Sequence, residues 1–199
     1  MMIQDEQLYN STLEVHPLTP ERWLDLEELF GPNGGCGGCW CMYWRLKRSE
    51  FDKQKGGGNK RALKHIVDSG ETPGILAYDN EVPIAWCSIA PRECFSVLGR
   101  SRILKPVDNK PVWSVSCFFV EKSYRRRGIT AKLLKGAVSY AKDKGARIIE
   151  GYPIQPRKET FPVIFAWTGF YSAFKKAGFV EVFRRSETRP IMRYVIKDK

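Results

Sequence analysis

The chain has 199 residues, 43% hydrophobic and 28% charged, with a formal net charge of +11. That length supports one sizeable core, and no apolar run is long enough to cross a membrane as a helix. The charge favours polyanionic partners (nucleic acid, an anionic membrane or a phosphorylated cofactor), although no run of five or six like charges occurs and most lysines read as solvated surface.

Met1 to Asn10 is acidic and polar, without the basic start and apolar centre of a signal peptide. The expectation is therefore a cytoplasmic protein whose six cysteines are reduced. Thr12 to His16 reads as a first strand. Thr19 is a candidate N-cap and Pro20 a first helical residue for a helix over Glu21 to Phe30, stopped by Gly31 and Pro32. Asn33 to Gly38 is a glycine-rich loop leading into the aromatic block Trp40 to Trp44. After the flexible Gly56 to Gly58, a second helix is expected over Asn59 to Ser69. Gly74 to Tyr78 and Val82 to Ala90 read as strands joined by a turn. Pro91 to Lys110 is loop-rich.

Val112 to Val120 is a nearly continuous apolar strand, expected to be buried on both faces. Gly128 to Lys144 is an amphipathic helix with Ile129, Leu133, Leu134, Ala137, Val138 and Ala141 on one face. A strand over Arg147 to Tyr152, a short helix over Thr168 to Lys176, and strands over Phe179 to Arg185 and Ile191 to Ile196 complete the chain. There is no internal repeat and no domain boundary.

The turn between the apolar strand and the amphipathic helix carries the chemistry. A helix start presents unpaired N–H groups and a partial positive charge, which suits phosphate. Arg125, Arg126 and Arg127 add cations there, and Gly128 removes a side chain where a ligand must meet the backbone. Tyr124-Arg-Arg-Arg-Gly-Ile-Thr-Ala131 resembles the pyrophosphate-binding segment of the GNAT superfamily of acyl-CoA N-acyltransferases. Arg125 and Gly128 match its fixed positions, and Thr130 stands where Gly or Ala is usual. Tyr171 to Phe179 resembles the family's last motif, a helix ending in Gly-Phe. The phrases around Trp40 to Arg45, Trp113 to Val120 and Glu150 to Pro153 resemble a bacterial subgroup of unassigned substrate.

The resemblance implies an α/β (α+β) fold with a mixed central sheet, two splayed parallel strands and flanking helices. It implies one domain over 1–199, with 1–72 on the acceptor side and 73–197 binding acyl-CoA. Phe118, Phe119 and Val120 would meet pantetheine through their backbones. Arg125 to Ala131, including Ile129 and Thr130, would surround the pyrophosphate. Acetyl-CoA is the implied co-substrate, and a small-molecule amine or a peptide N-terminus the implied acceptor. No metal, nucleic acid or membrane partner is expected, and edge strands at the C-terminus allow a homodimer.

Catalytic candidates are less defined. Many relatives carry a tyrosine four residues before the Gly of Gly-Phe, and here that position is Phe174. Tyr171 and Tyr152 are the substitute candidates for the general acid, against an alternative role as packing aromatics. Glu150 is the first candidate base, against an alternative as a salt-bridge partner of an arginine. Trp40, Tyr43 and Trp44 are candidates for an apolar or cation-binding acceptor pocket. Cys36, Cys39 and Cys41 read as metal ligands, a redox pair, or part of an aromatic loop that plugs the core. Two other functional classes stay open at this stage: a non-catalytic acyl-CoA sensor, favoured by Phe174, and a basic nucleic-acid binder, favoured by the net charge.

Overall fold

A computed structural model describes residues 13–157, 161–162 and 165–197. Residues 1–12, which carry the signal-peptide expectation and the start of the first expected strand, lie outside the described residues. The strands are β1 (Glu14–Pro17), β2 (Gly74–Asp79), β3 (Val82–Pro91), β4 (Trp113–Val120), β5 (Ile148–Gly151), β6 (Val180–Arg184) and β7 (Pro190–Val195). The helices are α1 (Trp23–Phe30), α2 (Arg48–Lys53), α3 (Gly57–Asp68), α4 (Ile129–Asp143) and α5 (Tyr171–Lys176). The sheet runs β1-β2-β3-β4-β5-β7-β6, and every neighbouring pair is antiparallel except the parallel pair β4 and β5.

One core lies between the sheet and α4, where Ile129, Leu133, Leu134, Ala137 and Ala141 are buried against Ile75, Val115 and Phe118. The helical period of that segment predicts this face, and each large apolar side chain so buried contributes about 1.5–3 kcal/mol. A second core holds the N-terminal third, with Trp23, Leu26 and Phe30 of α1, Leu63 and Val67 of α3, and Trp40, Cys41 and Met42 packed on Trp86. The aromatic block therefore enters the interior. A smaller cluster joins Phe95, Leu98 and Leu104 to Tyr152 and Ile191.

Three local expectations need correction. Thr19 stands before Pro20 in extended backbone, but its hydroxyl makes no capping bond, and a 3-10 turn over Pro20–Arg22 precedes α1. α3 begins inside the glycine run, because Gly56 turns the chain at φ +79° and the buried Asn59 amide donates to the Gly38 carbonyl at 3.1 Å. α2 is absent from the expectations: Phe51 is its one buried residue, so Arg48–Lys53 carries no readable period.

Candidate functional site

The site begins with a register break. β3 and β4 pair Ser88 with Cys117 and Ile89 with Val115, so Ser116 is an extra residue in β4. A bulge of this kind bends its strand and increases the local twist. On the other edge of β4, pairing with β5 runs from Trp113–Ile149 through Val115–Gly151 and stops there. Past Ser116 the two parallel strands diverge and the β4 edge is released from β5.

Backbone groups on a strand alternate between its two edges. The Phe118 N–H points into the opening, where it donates to the Trp167 carbonyl at 2.7 Å. The Val120 carbonyl faces the same way and accepts from Arg125 Nε at 2.9 Å. The Glu121 N–H instead donates to Ile84 of β3. By the same alternation Phe119 presents its backbone to β3, opposite Trp86. Its expected backbone contact with pantetheine is thereby corrected: Phe118 and Val120 hold the open edge.

The carbonyl on Phe118 belongs to a strap, residues 166–170, that runs beside Ile154. Ile154 N–H donates to Gly169 at 2.8 Å and Tyr171 N–H to Ile154 at 2.9 Å. A Cβ on Gly169 would lie 2.9 Å from both the Phe118 and Phe174 rings, and one on Gly151 would lie 2.1 Å from Phe174. Glycine at these places lets Phe174 fill the space beneath the divergence. Because the strap uses Thr168 to Phe170, α5 starts at Tyr171 and not at Thr168.

At the C-terminal end of β4 the chain turns through Lys122–Tyr124. The Glu121 carboxylate accepts from the Ser123 N–H at 2.6 Å, and the Tyr124 hydroxyl donates to Asp79 at 2.8 Å. Arg126 has φ +64° and Gly128 φ +75°, two left-handed residues that curl the backbone before α4. Arg125 to Gly128 are exposed, and a Cβ on Gly128 would meet nothing within 4 Å. Ile129 faces the core, while Thr130 and Ala131 are half-buried in the first turn of the helix. The expected anion turn is thus an open surface at the mouth of the divergence.

At the paired end of β4 sits a buried ionic network. Glu150 is fully buried and accepts from Arg92 Nη1 at 2.7 Å and Arg193 Nε at 2.8 Å. Arg193 grips Asp108 with two further bonds, at 2.7 and 3.0 Å. These bonds hold the Asp108 carboxyl down at about 2, and its charge holds the Arg193 guanidinium on. The Tyr152 hydroxyl donates to Glu150 at 2.8 Å, lies 2.7 Å from the Ser114 hydroxyl, and also accepts from Arg92. Burial, aided by the Glu150 charge, pushes the Tyr152 phenol well up, so it stays protonated. Two of the catalytic candidates, Glu150 and Tyr152, are therefore brought together, with both Glu150 oxygens engaged by arginines. The third, Tyr171, is elsewhere: it lies under the Arg184 guanidinium, 6.0 Å from its ring centre, beside Glu181 on the outer strand β6.

The acceptor-side aromatics divide as well. Trp40 is 5% exposed, stacked on Trp23 and tilted against Phe30, which corrects its expected place in a pocket wall. Tyr43 and Trp44 are half-buried and meet a third ring, Trp167 of the strap, at centroid distances of 5.2 and 5.7 Å. Trp167 is the site residue that sequence reasoning missed; an aromatic just before Thr-Gly at a helix entrance was the available signal. Arg189, at the entry to β7, donates to the fully buried Thr168 hydroxyl at 2.7 Å.

Cys36 is exposed and Cys39 half-buried, whereas Cys41 is buried with its sulfur 2.9 Å from Cys117 and 3.2 Å from the Trp86 indole nitrogen. The bond with Cys117, with burial, keeps the Cys41 thiol protonated, and Cys41 together with burial does the same for Cys39. Among the described residues no group of three or more His, Cys, Asp or Glu is arranged to hold a metal ion. No described helix is long and apolar enough to cross a membrane.

Residues 40–154 match the model of the acetyltransferase (GNAT) family. No curated protein sequence matches the chain. Among solved structures the fold is similar to that of PaiA N-acetyltransferase from Thermoplasma acidophilum in complex with coenzyme A, at 16% identity over 94% of this chain and 100% of that one, with a TM-score of 0.52. It is similar to a GNAT-family acetyltransferase from Listeria monocytogenes, at 8% identity over 92% and 95%, with a TM-score of 0.55. It is also similar to the NatC complex bound to Gag peptide and CoA, at 12% identity over 94% and 100%, with a TM-score of 0.51. At these identities the likeness concerns the fold.

Proposed function

Since the chain belongs to the acetyltransferase (GNAT) family, we propose that it transfers an acetyl group from acetyl-CoA to a primary amine, on a small molecule or a peptide N-terminus. The observation that carries this reading is the bulge at Ser116 where pairing with β5 ends, which frees the β4 edge beside an exposed, glycine-containing basic turn. The residues fit the co-substrate. Arg125 to Ala131 offer cations and helix-start N–H groups to a pyrophosphate, and Phe118 and Val120 offer an open strand edge to the pantetheine amides. Acetyl-CoA supplies the activated thioester, and in this reading the Phe118 N–H, bonded to the Trp167 carbonyl in the free protein, exchanges that partner for the thioester carbonyl and polarises it. The neighbour bound to both a peptide and CoA supports a peptide as one acceptor class.

Catalysis in this reading rests on positioning. Glu150 is held by Arg92 and Arg193, so it orients Tyr152 and is not a free base. Phe174 is fully buried and offers no hydroxyl to the departing thiolate. The amine is then delivered in its neutral form, and kcat/KM rises with pH toward the pKa of the amine itself. The reading divides the chain into an acceptor side over 1–72 and an acyl-CoA side over 73–197, and takes the protein as cytoplasmic.

The test is CoA release from acetyl-CoA with a panel of amines and amino-terminal peptides, with a short oligonucleotide as a binding control. Acceleration by an amine supports transfer. Tight acetyl-CoA binding with no acceleration across the panel favours the sensor reading, for which Phe174 is the specific observation.

A further inference from the structure

Two arginines of the site region are neutralised by carboxylates. Arg92 and Arg193 share Glu150, and Arg193 also holds Asp108. Arg45, which donates to the Pro73 carbonyl and lies over the Phe95 ring, and Arg189 have no such partner among the described residues, and Arg189 is the one bonded to the strap. It is half-buried, its described hydrogen bond goes to the neutral Thr168 hydroxyl, and among the described residues no carboxylate pairs with it. Burial pulls its guanidinium pKa down, and Tyr43 is the one titratable side chain that opposes this. A guanidinium cannot shed its proton at ordinary pH, so the charge stays and its desolvation goes uncompensated.

Its position gives that imbalance a use. Thr168 follows Trp167, whose carbonyl sits on the Phe118 N–H and whose ring meets Tyr43 and Trp44. Arg189 is therefore linked through one hydroxyl to the strap that lies against the open edge of β4. The Trp44 indole N–H, on the same ring cluster, is buried and has no acceptor among the described residues. Among the described residues, a guanidinium with no carboxylate partner and an indole N–H with no acceptor suit an oxyanion: the apolar rings lower the local dielectric, and the guanidinium fork can grip two oxygens at once.

We propose that Arg189, bonded to Thr168, the residue after Trp167 of the Tyr43, Trp44 and Trp167 ring cluster, forms an anion subsite for the acceptor, and that the acceptor is an amine carrying a carboxylate or phosphate apart from its reacting nitrogen. The inference rests on the acetyl-transfer reading and narrows its substrate class. Free amino acids, acidic peptides and amino-alkyl phosphates belong to the class; simple alkylamines and amino-acid amides do not.

The experiment compares acceptors at fixed acetyl-CoA, with kcat/KM expressed per neutral amine: 4-aminobutyrate with 4-aminobutyramide, and phosphoethanolamine with ethanolamine. The carboxylate and phosphate pairs separate the two sources of anion. The expected result is a kcat/KM advantage of at least about tenfold for one anionic class over its neutral match, falling to about onefold in Arg189→Met and partly retained in Arg189→Lys. Equal use of both members, or an advantage that survives Arg189→Met, overturns the subsite. A second readout needs neither turnover nor a folded variant: the tryptophan fluorescence of the wild-type protein, with saturating CoA present to occupy the anion turn at Arg125 to Gly128, is titrated with glutarate, inorganic phosphate and glutaramide. Saturable quenching by glutarate or phosphate and none by glutaramide supports the subsite, and identical responses to all three overturn it. If no amine releases CoA, the transfer reading fails, and this titration alone decides the subsite.

Discussion

At its N-terminal end β4 is closed: Trp113 to Val115 pair with Ile149 to Gly151, and the charges of Glu150, Arg92, Arg193 and Asp108 beside them satisfy one another. At its C-terminal end, past Ser116, the same strand keeps β3 but loses β5, and the Phe118 N–H depends on a loop carbonyl. One strand thus serves two purposes. The closed half fixes the geometry with strong, desolvated interactions that no ligand can share. The open half leaves backbone groups whose partners are replaceable, which is what a binding edge requires. Substitutions in the closed half should therefore act on stability, and those in the open half on binding.

The largest effect is expected from Glu150→Ala. Removing this carboxylate leaves Arg92 and Arg193 with unpaired charge in the interior, a loss of about 3–5 kcal/mol. Urea unfolding measures it; a loss below about 1 kcal/mol would mean that the closed half is not held by this network. Gly151→Ala tests the boundary, because its Cβ would fall 2.1 Å from the Phe174 ring. Overpacking there should cost about 1–3 kcal/mol, and a thermal melt that does not shift would show that Phe174 is free to move.

A smaller effect lies at the rim of the network. Arg193 holds the Asp108 carboxyl at about 2, below its unfolded value of about 3.9. A depressed carboxylate adds stability above the unfolded pKa and loses it as pH falls through the folded one. The wild type should lose stability between about pH 4 and about pH 2, and Asp108→Asn should flatten that part of the acid-unfolding curve. An unchanged slope in the variant would place the acid sensitivity elsewhere. Smallest is Arg48→Ala in α2, whose pair with Asp52 is exposed at the surface. It should change stability by about 0.5 kcal/mol or less and leave acetyl-CoA binding untouched.

What the sequence reveals follows the same division. The apolar run of β4, the helical period of α4 and the basic turn between them are local patterns, and each element lies within a few residues of its expected bounds. The bulge is not local. Ser114-Val-Ser-Cys117 reads as uninterrupted strand, and only the register with β3 shows that Ser116 is extra. Glu150 was legible as a candidate, but its two arginine partners come from segments 58 and 43 residues away. Trp167 reaches Phe118, and Arg189 reaches Thr168, through contacts that no spacing rule encodes. Trp40 shows the opposite case: its aromatic block reads either as a pocket wall or as a loop plugging the core, and only tertiary packing decides, turning it inward against Trp23 and Phe30.

The most direct test of the account is calorimetric titration of acetyl-CoA into the wild type and into Gly128→Glu. Glutamate there would bring bulk and like charge to the pyrophosphate turn; the left-handed φ of Gly128 costs it about 1–2 kcal/mol of folding stability, and the open space around the position adds no clash. The account predicts saturable binding by the wild type and none by the folded variant. Equal affinity in both proteins, or no binding by the wild type, would contradict the claim that the open edge of β4 and the turn before α4 form the acetyl-CoA site.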